Sequence, residues 1–307
     1  MSFVFSVGTC NVDLLYAGLS HVPQEGEEVF SKGFSLQLGG GAPGTAVNLK
    51  RLGVPVHLGT YLGTDLFSEF AARELKKNGV DAVNLRADGA EGIPVNVSTA
   101  MLTKNDRTFV SYGCRQKETT KLDNRVSALA SGAKIVQMQY GMLPVWRKLK
   151  KEGCTLVFDI GWTPDMSLRK YAPYLELADY FTPNIRETIA LSGRKSPEEG
   201  IYILAEYVKN PIVKLDRFGC MYLEDGKIRK IKCVPDVVCA DSTGAGDAFL
   251  AGFMYGLYHG RPVPECVLYG NIAGGKCVTG LGCLTEFETE ESLKEKAEKY
   301  AYLAENA

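Results

Sequence analysis

The sequence predicts an α/β protein in which helices cover both faces of a mostly parallel central sheet. Helical patterns separate short apolar runs, as at residues 66–78, where the pattern ends at Gly79. Strands that alternate with helices favour a parallel sheet, because each helix carries the chain back across one face of the sheet. The apolar runs typical of buried strands lie at residues 3–10, 54–62, 135–140, 155–160, 178–182 and 211–215.

The chain is predicted to form one domain over residues 1–307. Its 307 residues are enough for one large α/β core. No internal repeat and no low-complexity linker divides the sequence. A charged helical pattern at residues 289–304 closes the chain.

Two segments, residues 14–38 and 93–113, differ from the rest in their hydrophobic pattern. Apolar and polar residues alternate at 29–31 and 34–38, and again on either side of a polar turn at 104–107. Alternation of this kind is typical of a sheet with one exposed face. The two segments are therefore predicted to pair into a small sheet outside the main one.

The composition excludes several classes of protein. A net charge of −1 gives no electrostatic case for binding nucleic acid or an anionic membrane. No apolar run of about 18 residues predicts a transmembrane helix, and the N-terminus lacks the basic region and cleavage site of a signal peptide. Nine cysteines without a C-x-x-C pair, and only three histidines, do not form a zinc pattern. The cysteines are interpreted as reduced core residues of a cytoplasmic protein.

The glycine-rich stretch at residues 241–253 carries the strongest chemical signal. A short apolar run at 234–238 predicts a strand before it, and a helical pattern follows it, so Gly244 and Gly246 are placed on a strand-to-helix turn. The free N–H groups at the start of that helix would attract an anion. Asp247 would repel a phosphate there unless it takes a proton from an attacking hydroxyl. The alternative is a capped turn in which Asp247 only interacts with the helix dipole.

The string Asp-Ser-Thr-Gly-Ala-Gly-Asp-Ala-Phe at 241–249 closely resembles the C-terminal signature of the ribokinase family, the phosphofructokinase B-type carbohydrate kinases. The resemblance implies that Asp247 is the catalytic base and that the amides of Gly244, Ala245 and Gly246 form an anion hole for the transferred phosphoryl group. It also implies a ribokinase-like three-layer α/β/α fold. The small sheet at about 14–38 and 93–113 would be a lid over the sugar site and the contact of a homodimer.

A second glycine-rich segment, residues 39–44, matches G-x-G-x-x-G, with Asp65 about 20 residues further on. The preceding residues 35–38 alternate, whereas the first strand of a dinucleotide-binding unit is a buried apolar run, so a dinucleotide site is rejected. The segment is similar to the N-terminal signature of the same family, which continues through residues 51–53 and 63–65.

The resemblance implies a substrate site built from four residues near this segment. Gly39 and Gly40 would let the backbone approach the substrate, and Asp13 would bind its hydroxyls. Asp13 is otherwise a turn residue at the end of the first strand. Gly44 stands where the family carries Asn, and Asn48, one helical turn later, would substitute for it.

On the nucleotide side, Asn184 and Glu187 have the spacing of a capping box at the start of a helix. The same Asn-x-x-Glu matches a family motif that organises Mg²⁺ and phosphate, so the resemblance assigns Asn184 to the nucleotide and Glu187 to the metal, partly through water. Residues 213–219 lie where the family has Thr-x-Gly-x-x-Gly, with Lys214 in place of Thr and only Gly219 retained. A hairpin with its turn at 225–226 is the alternative there.

Two further sites are predicted near the C-terminus. Residues 270–277 read G-x-x-x-x-G-K-C, but Cys277 lacks the hydroxyl that a P-loop presents to Mg²⁺, and the preceding residues predict a helix. By resemblance Asn271 borders the adenine; otherwise it is a helix-surface residue. Asp241 and Thr243 are candidate ligands for K⁺, as in some relatives.

These features together predict an ATP- and Mg²⁺-dependent carbohydrate kinase, with K⁺ as a candidate further cofactor. The acceptor is expected to be a small sugar or sugar acid, as in fructokinase or 2-keto-3-deoxygluconate kinase. A nucleoside kinase of the same fold is an alternative, because the positions that select ribose fall near Gly41 and Tyr140 and are altered. A catalytically weak sugar or nucleotide sensor is a second alternative, motivated by the altered segment at 214–219.

Overall fold

The computed structural model describes residues 2–87, 90–114 and 116–305, which form thirteen strands and eleven helices. In chain order the strands are β1 (Val4–Val7), β2 (Asn11–Leu19), β3 (Gly33–Leu38), β4 (Val56–Thr60), β5 (Ala82–Asn84), β6 (Asn96–Thr103), β7 (Arg107–Tyr112), β8 (Ile135–Met138), β9 (Thr155–Phe158), β10 (Tyr180–Phe181), β11 (Asn210–Lys214), β12 (Cys220–Glu224) and β13 (Lys227–Ile231). The helices are α1 (Ala42–Arg51), α2 (Leu66–Lys77), α3 (Thr120–Ala130), α4 (Leu143–Lys151), α5 (Leu168–Leu175), α6 (Ile185–Ser192), α7 (Pro197–Ala205), α8 (Ala245–Tyr258), α9 (Val263–Cys277), α10 (Glu290–Lys299) and α11 (Tyr302–Glu305).

The central sheet has nine strands in the order β13-β12-β11-β10-β9-β8-β1-β4-β5. Its seven strands from β11 to β5 are parallel, and β12 and β13 add an antiparallel hairpin at one edge. The turn of that hairpin falls at Asp225 and Gly226, as the sequence predicts. The predicted α/β fold with a mostly parallel sheet is therefore confirmed.

Helices cover both faces of the central sheet, as the adjacent residues Val4 and Phe5 of β1 show. Val4 packs in a core with Leu250 of α8 and Ile272 of α9, whereas Phe5 packs in a separate core with Trp146 of α4. Successive side chains of a strand point to opposite faces. The two cores therefore lie on opposite sides of β1, which gives three layers.

The small sheet has four strands in the order β3-β2-β6-β7, with β2 and β6 parallel and the other pairs antiparallel. It confirms the second sheet predicted over residues 14–38 and 93–113, but residues 29–31 are not a strand, because β3 begins only at Gly33. The first predicted strand, 3–10, also divides. β1 ends at Val7, where a Cβ on Gly8 would lie only 2.9 Å from the Cβ of Ala42 in α1. The chain then enters β2 at Asn11, so the placement of Asp13 at the end of a central strand is wrong.

The strand predicted at 234–238 is absent from this described segment. Pro235 has no N–H to donate to a sheet, and Asp236 has a φ of 64°, which no strand residue adopts. Val238 is 80% exposed. Helix α8 therefore follows a loop and not a strand.

Other local predictions are confirmed with small shifts. Residues 270–277 are the last turns of α9, so this segment is a helix and not a phosphate loop. The C-terminal helix predicted at 289–304 is divided between α10 and α11. Eight of the described cysteines, at positions 10, 154, 220, 233, 239, 266, 277 and 283, are free thiols. Within the described ranges we find no helix long and apolar enough to cross a membrane.

Candidate active site

The first turn of α8 forms one wall of the candidate site. Gly244 precedes the helix with a φ of 79°, in the left-handed region that favours glycine, and a Cβ there would overlap the side chain of Cys283. In the described structure no side chain caps this helix. The N–H of Ala245 points to the Ser242 carbonyl at 3.4 Å, whereas that of Gly246 is available to an anion at the positive end of the helix dipole.

Asp247 lies in this first turn, against the loop between β3 and α1. A Cβ on Gly40 would overlap its Oδ2, and a Cβ on Gly44 would lie 3.7 Å from the same atom. The surrounding protein shields the Asp247 carboxylate from water, and this desolvation raises its pKa to about 7. The negative charge of Asp159 raises the pKa further, whereas the hydrogen bond from the Gly41 amide and the charge of Lys214 lower it. A carboxyl with a pKa near neutrality can exist in either protonation state at physiological pH.

Asp13 approaches the same loop from the four-stranded sheet. A Cβ on Gly39 would lie 2.6 Å from the Oδ2 of Asp13, so only glycine allows this contact. Asp13 is buried, and burial, assisted by the charge of Asp241, raises its pKa to about 6. The structure thus brings the predicted residues Asp13, Gly39 and Gly40 together around the same loop as Asp247.

Asn48 lies one turn deeper in α1 and is buried. Its Nδ2 donates to the Gly44 carbonyl at 3.1 Å. The side-chain amide is thus held by the backbone of its own helix, and its role in substrate binding stays a prediction.

Lys214, at the carboxyl end of β11, faces the same helix terminus. Its Nζ donates to Oδ1 of Asp159 at 2.9 Å, and a Cβ on Gly246 would lie 3.5 Å from the same Nζ. Burial alone would lower the pKa of Lys214, but the carboxylates of Asp159, Glu187 and Asp247 together raise it. The ammonium group therefore stays charged beside the start of α8.

Asp159 was missed by the sequence reasoning, which placed it inside a strand at 155–160. The strand ends at Phe158, and Asp159 follows at its carboxyl end, where it also accepts a hydrogen bond from the Thr182 hydroxyl at 2.7 Å. An acidic residue at the end of an apolar run was the available signal, because polar ligands bind at the carboxyl ends of parallel strands.

Asn184 and Glu187 form the predicted capping box at the start of α6. Oδ1 of Asn184 accepts from the N–H of Glu187 at 2.9 Å, and the N–H of Asn184 donates to Oε2 of Glu187 at 2.8 Å. Glu187 is buried, which raises its pKa to about 7, while the charge of Lys214 opposes this shift and that of Asp159 adds to it. Three carboxylates, those of Asp159, Glu187 and Asp247, therefore interact with one ammonium group.

This charge arrangement fits Mg²⁺ bound together with phosphate. Three carboxylates around Lys214 leave an excess of negative charge that a divalent cation would offset. Among the described residues no cluster of three metal-ligating side chains exists. Mg²⁺ does not need such a cluster, because it usually keeps several waters and binds one or two carboxylates plus substrate phosphates.

Gly219 and Asn271, the other predicted nucleotide residues, both contact the backbone at the end of β13. Gly219 has a φ of 93°, and a Cβ there would overlap the carbonyl of Ile231. Asn271 is buried, and its Nδ2 donates to the carbonyls of Ile231 and Lys232 at 3.3 and 3.2 Å. Contacts of these two residues with a nucleotide stay predictions.

The candidate K⁺ ligands Asp241 and Thr243 do not fit a monovalent cation. Oδ1 of Asp241 accepts from Nη1 of Arg107 at 2.7 Å and from the hydroxyl of Thr243 at 2.7 Å, and Oδ2 accepts from the N–H of Gly282 at 2.9 Å. Burial alone would raise the pKa of Asp241, but these donors and the Arg107 charge together lower it. The positive charge that K⁺ would supply is already present as the Arg107 guanidinium.

One face of the four-stranded sheet carries a row of polar side chains, which we call the polar face. Asp13 pairs with Gln37 on one side and with Ser98 on the other, and Ser98 pairs with Ser111. Paired residues point to the same face, and neighbouring strands are about 4.8 Å apart. The hydroxyls of Ser98 and Ser111 lie 2.9 Å apart. Only Asp13 of this row was singled out from the sequence, because register depends on pairing that a single sequence does not reveal.

A cavity of about 640 Å³ lies at the other end of α8, where it is lined by Tyr255 and His259. It is about 12–18 Å from Asp247 along the helix, at 1.5 Å per residue. The cavity is therefore separate from the candidate active site.

A family model described as "pfkB family carbohydrate kinase" matches residues 1–290. The chain belongs to this family. The family resemblance drawn from residues 39–53 and 241–253 is thereby confirmed, and the protein is a phosphotransferase with an alcohol group as acceptor.

Individual relatives of this kinase differ in their acceptors. The 5-dehydro-2-deoxygluconokinase of Clostridium perfringens is 26% identical over 302 residues, which cover 89% of this chain and 88% of the relative. A nucleoside kinase of Methanocaldococcus jannaschii is 27% identical over 269 residues, covering 85% of this chain and 86% of the relative. The structure of Arabidopsis thaliana ribokinase complexed with ribose and ATP has a TM-score of 0.79 at 23% identity, covering 96% of this chain and 98% of that chain.

The raised pKa of Asp247 predicts a pH-dependent effect on the stability of this kinase. The folded state holds this proton up to about pH 7, so the associated stability is present below the unfolded pKa and is lost as the pH rises through 7. We expect Asp247→Asn, which removes the buried charge, to raise the unfolding temperature more at pH 8 than at pH 5. Differential scanning fluorimetry at both pH values measures this. The control is Asp236→Asn at an exposed loop position, and an equal change at both pH values would contradict the burial of the Asp247 charge.

Proposed function

We propose that this protein is an ATP- and Mg²⁺-dependent kinase that transfers the γ-phosphoryl group to a hydroxyl of a small sugar or sugar acid. The observation that carries the proposal is the position of Asp247. Its carboxyl, with a pKa of about 7, lies in the first turn of α8 between the loop at Gly40 and the Lys214 ammonium group. A base, an anion-binding helix terminus and an acceptor loop meet there, and these are the parts that phosphoryl transfer requires.

Asp247 acts as the base in this proposal. Its carboxylate accepts the proton of the acceptor hydroxyl as that oxygen attacks phosphorus, which contributes on the order of 10²–10⁴-fold to the rate. The amides of Gly244, Ala245 and Gly246 bind the oxygens of the phosphoryl group in transit, as preorganised donors in the first turn of a helix. Lys214, next to Gly246, adds a positive charge at the same place.

Mg²⁺, when bound with ATP, supplies positive charge to the phosphates. Glu187 would hold Mg²⁺ partly through water. Asp159, which lies beside Lys214 and interacts with Glu187, is a second candidate carboxylate ligand. Asn184 fixes the position of Glu187 through the capping box. The exposed side chain of Phe218 offers apolar surface for a nucleotide base next to Gly219.

The acceptor binds between the β3–α1 loop and the polar face of the four-stranded sheet. Asp13, Gly39 and Gly40 supply a carboxylate and close backbone approach, and Asn48 is retained as a candidate from the sequence. The hydroxyls of Ser98 and Ser111 extend this row. A row of carboxylate and hydroxyl groups suits a polyhydroxylated acceptor, since each can bond a substrate hydroxyl.

A nucleoside is the alternative acceptor. The similarity to a nucleoside kinase over 85% of this chain favours it, at an identity comparable to that of the sugar-acid kinase. A sensor without turnover is the alternative from another class, but it would not need a base at Asp247.

We further propose that residues 1–307 act as one domain whose four-stranded sheet is a lid and the contact of a homodimer. The face of this sheet opposite the polar face carries exposed apolar side chains, with Phe34 58%, Val110 64% and Tyr112 50% exposed. Exposed apolar groups that cluster on one sheet mark an interaction surface. A second copy of the same sheet would cover them by two-fold symmetry.

A cytoplasmic location is also proposed. Eight free thiols, those of the cysteines other than Cys114, support it, because proteins of oxidising compartments rarely keep so many cysteines unpaired. Fractionation of producing cells, with the protein followed by immunoblot, tests this proposal.

The kinase proposal is tested by ADP release with Mg-ATP across fructose, ribose, 2-keto-3-deoxygluconate, 5-dehydro-2-deoxygluconate, adenosine and inosine. We expect one acceptor to stimulate release, and chelation of Mg²⁺ to abolish it. Asp247→Asn should reduce kcat by about 10²–10⁴-fold, because it removes the base, while calorimetry still detects ATP binding. Full activity of this variant would exclude Asp247 as the base. Saturable binding of an acceptor without ADP release would favour the sensor.

The polar face predicts a selective effect on acceptor binding. Ser111→Ala and Ser98→Ala should each raise KM for the acceptor about 3–10-fold, since one hydrogen bond contributes roughly 0.5–1.5 kcal/mol, and leave KM for ATP unchanged. The control is Thr108→Ala, which removes a hydroxyl from the opposite face of the same strand. An equal effect of the Thr108 change would show that the polar face does not select the acceptor.

The dimer is tested by light scattering on a size-exclusion column, where we expect twice the chain mass of 33.5 kDa. Val110→Asp places a charge beside Tyr112 among the exposed apolar side chains of β7 and should give a monomer. Tyr202→Asp, at an exposed aromatic of α7, should leave the mass unchanged. A monomeric wild-type protein would refute the dimer without affecting the kinase proposal.

A further inference from the structure

We propose that Arg107 permanently supplies the positive charge at Asp241, so that this kinase needs no monovalent cation and its four-stranded sheet is joined to the anion hole. This inference rests on the proposed kinase function and adds a positioning residue to it. It comes from the mismatch between the expected K⁺ ligands and the partners that Asp241 has in the structure.

Both carboxylate oxygens of Asp241 are used by the protein. Oδ1 takes the Arg107 guanidinium at 2.7 Å, the N–H of Thr243 at 3.0 Å and the Thr243 hydroxyl at 2.7 Å. Oδ2 takes the N–H of Gly282 at 2.9 Å. The Asp241 side chain is only 2% exposed, against 30% for Arg107. A cation entering from solvent would have to displace a guanidinium that is attached to the chain.

The charge at this position matters because Asp241 fixes the start of α8. It binds the backbone and the hydroxyl of Thr243, which directly precedes Gly244, and it also binds the loop at Gly282, next to the Cys283 that packs against Gly244. An unpaired carboxylate here would repel the phosphoryl oxygens that the first turn of α8 is proposed to bind. Some positive charge must therefore accompany Asp241.

Arg107 supplies this positive charge to Asp241 from β7 of the four-stranded sheet. It is the first residue of β7, and its guanidinium lies 5.8 Å from the centre of the Phe109 ring on the same face of the sheet, within the range of a cation–π contact. Gln37, from the other edge of this sheet, donates to the Leu281 carbonyl at 3.2 Å. Gln37 thus holds the loop at 281–282 directly, and Arg107 holds it through Asp241.

A diffusible ion and a tethered arginine differ in what they connect. An ion would hold only the loops that ligate it, whereas Arg107 also holds the sheet that carries Asp13 and the polar face. Displacement of the sheet would therefore leave Asp241 without its partner. Breaking a buried ion pair by removing one partner is strongly unfavourable.

The test compares initial rates with Mg-ATP and the acceptor in tetramethylammonium chloride and in KCl at equal ionic strength. The wild-type rates should agree within about twofold, because the charge is already in place. Arg107→Ala should lose about tenfold or more in kcat in tetramethylammonium chloride, because Asp241 is then unpaired. KCl should restore part of this loss in a saturable way, because the removed side chain leaves room for an ion. Arg107→Lys should stay independent of K⁺.

The matched control is Lys104→Ala, which removes an exposed charge from the turn that leads into β7. It should leave the rates unchanged in both salts. A wild-type enzyme that requires K⁺, or an Arg107→Ala variant as active as wild type in tetramethylammonium chloride, would overturn the inference. An equal loss in the Ala and Lys variants that K⁺ does not restore would also overturn it, since the role of Arg107 would then be steric.

Thermal unfolding gives a second readout that does not need catalysis. KCl should raise the unfolding temperature of Arg107→Ala by about 2 °C or more relative to tetramethylammonium chloride, by binding to the folded state. It should leave the wild type and Arg107→Lys unchanged. This result would stand even if no acceptor in the panel were phosphorylated, whereas a K⁺-induced rise in the wild type would refute the inference. If the Ala variant does not fold, Arg107→Gln is compared in the same two salts.

Discussion

The carboxylate of Asp247 lies where burial and charge act against each other. The surrounding protein favours its neutral form, whereas the Gly41 amide and the Lys214 ammonium favour its charged form, and the result is a pKa of about 7. Lys214 cannot neutralise Asp247 alone, because Asp159 holds it at 2.9 Å and Glu187 also competes for its charge. The protein alone therefore leaves the negative charge of these carboxylates only partly balanced. A divalent cation bound with phosphate would supply the missing positive charge. Elements α8, β11, α6 and the β3–α1 loop must all be placed correctly for this balance to exist.

Backbone contacts, more than side-chain contacts, set the distances in this site. A Cβ at Gly40 would overlap Asp247, and a Cβ at Gly39 would overlap Asp13. The β3–α1 loop therefore passes between two carboxylates at a distance that leaves no space for a side chain. Gly244 packs against Cys283 in the same way. Because backbone has no rotamer freedom, such contacts fix the separation of base, anion hole and acceptor loop better than long side chains would. Their cost is that no other residue fits these positions.

The sequence was sufficient for the parts of the site that depend on local pattern. Each of these parts is formed by residues close together in the chain at the start of a helix, so its geometry follows from local sequence. They are Gly39 and Gly40 before α1, Gly244, Gly246 and Asp247 at α8, and the Asn184–Glu187 capping box at α6. Asp13 lies at the candidate site as predicted, although its role stays a prediction. The element that carries it was predicted wrongly, because the apolar run at 3–10 hides the point where the chain moves from one sheet to the other. The strand expected at 234–238 failed because Pro235 and Asp236 turn the chain there and leave Val237 and Val238 exposed in a loop.

What the sequence could not reveal is pairing over long separations. Arg107 and Asp241 are 134 residues apart, and the register that places Ser98 and Ser111 beside Asp13 depends on strands from two segments of the chain. Each such residue looks ordinary in sequence, and Arg107 was read only as part of a polar turn. Long-range partners such as these decide which ions and which acceptor a site can take, while local motifs decide the reaction class.

The same long-range contacts connect the acceptor site to the site of the phosphoryl group. Asp13 belongs to the sheet, Asp247 to the three-layer part, and Arg107 spans the two at the base of α8. An acceptor seated against the polar face would favour the position of the sheet in which Arg107 still reaches Asp241. That position also orders Thr243 and hence the start of α8. The acceptor site and the anion hole are thereby held in one arrangement, which places the acceptor hydroxyl next to the phosphoryl group.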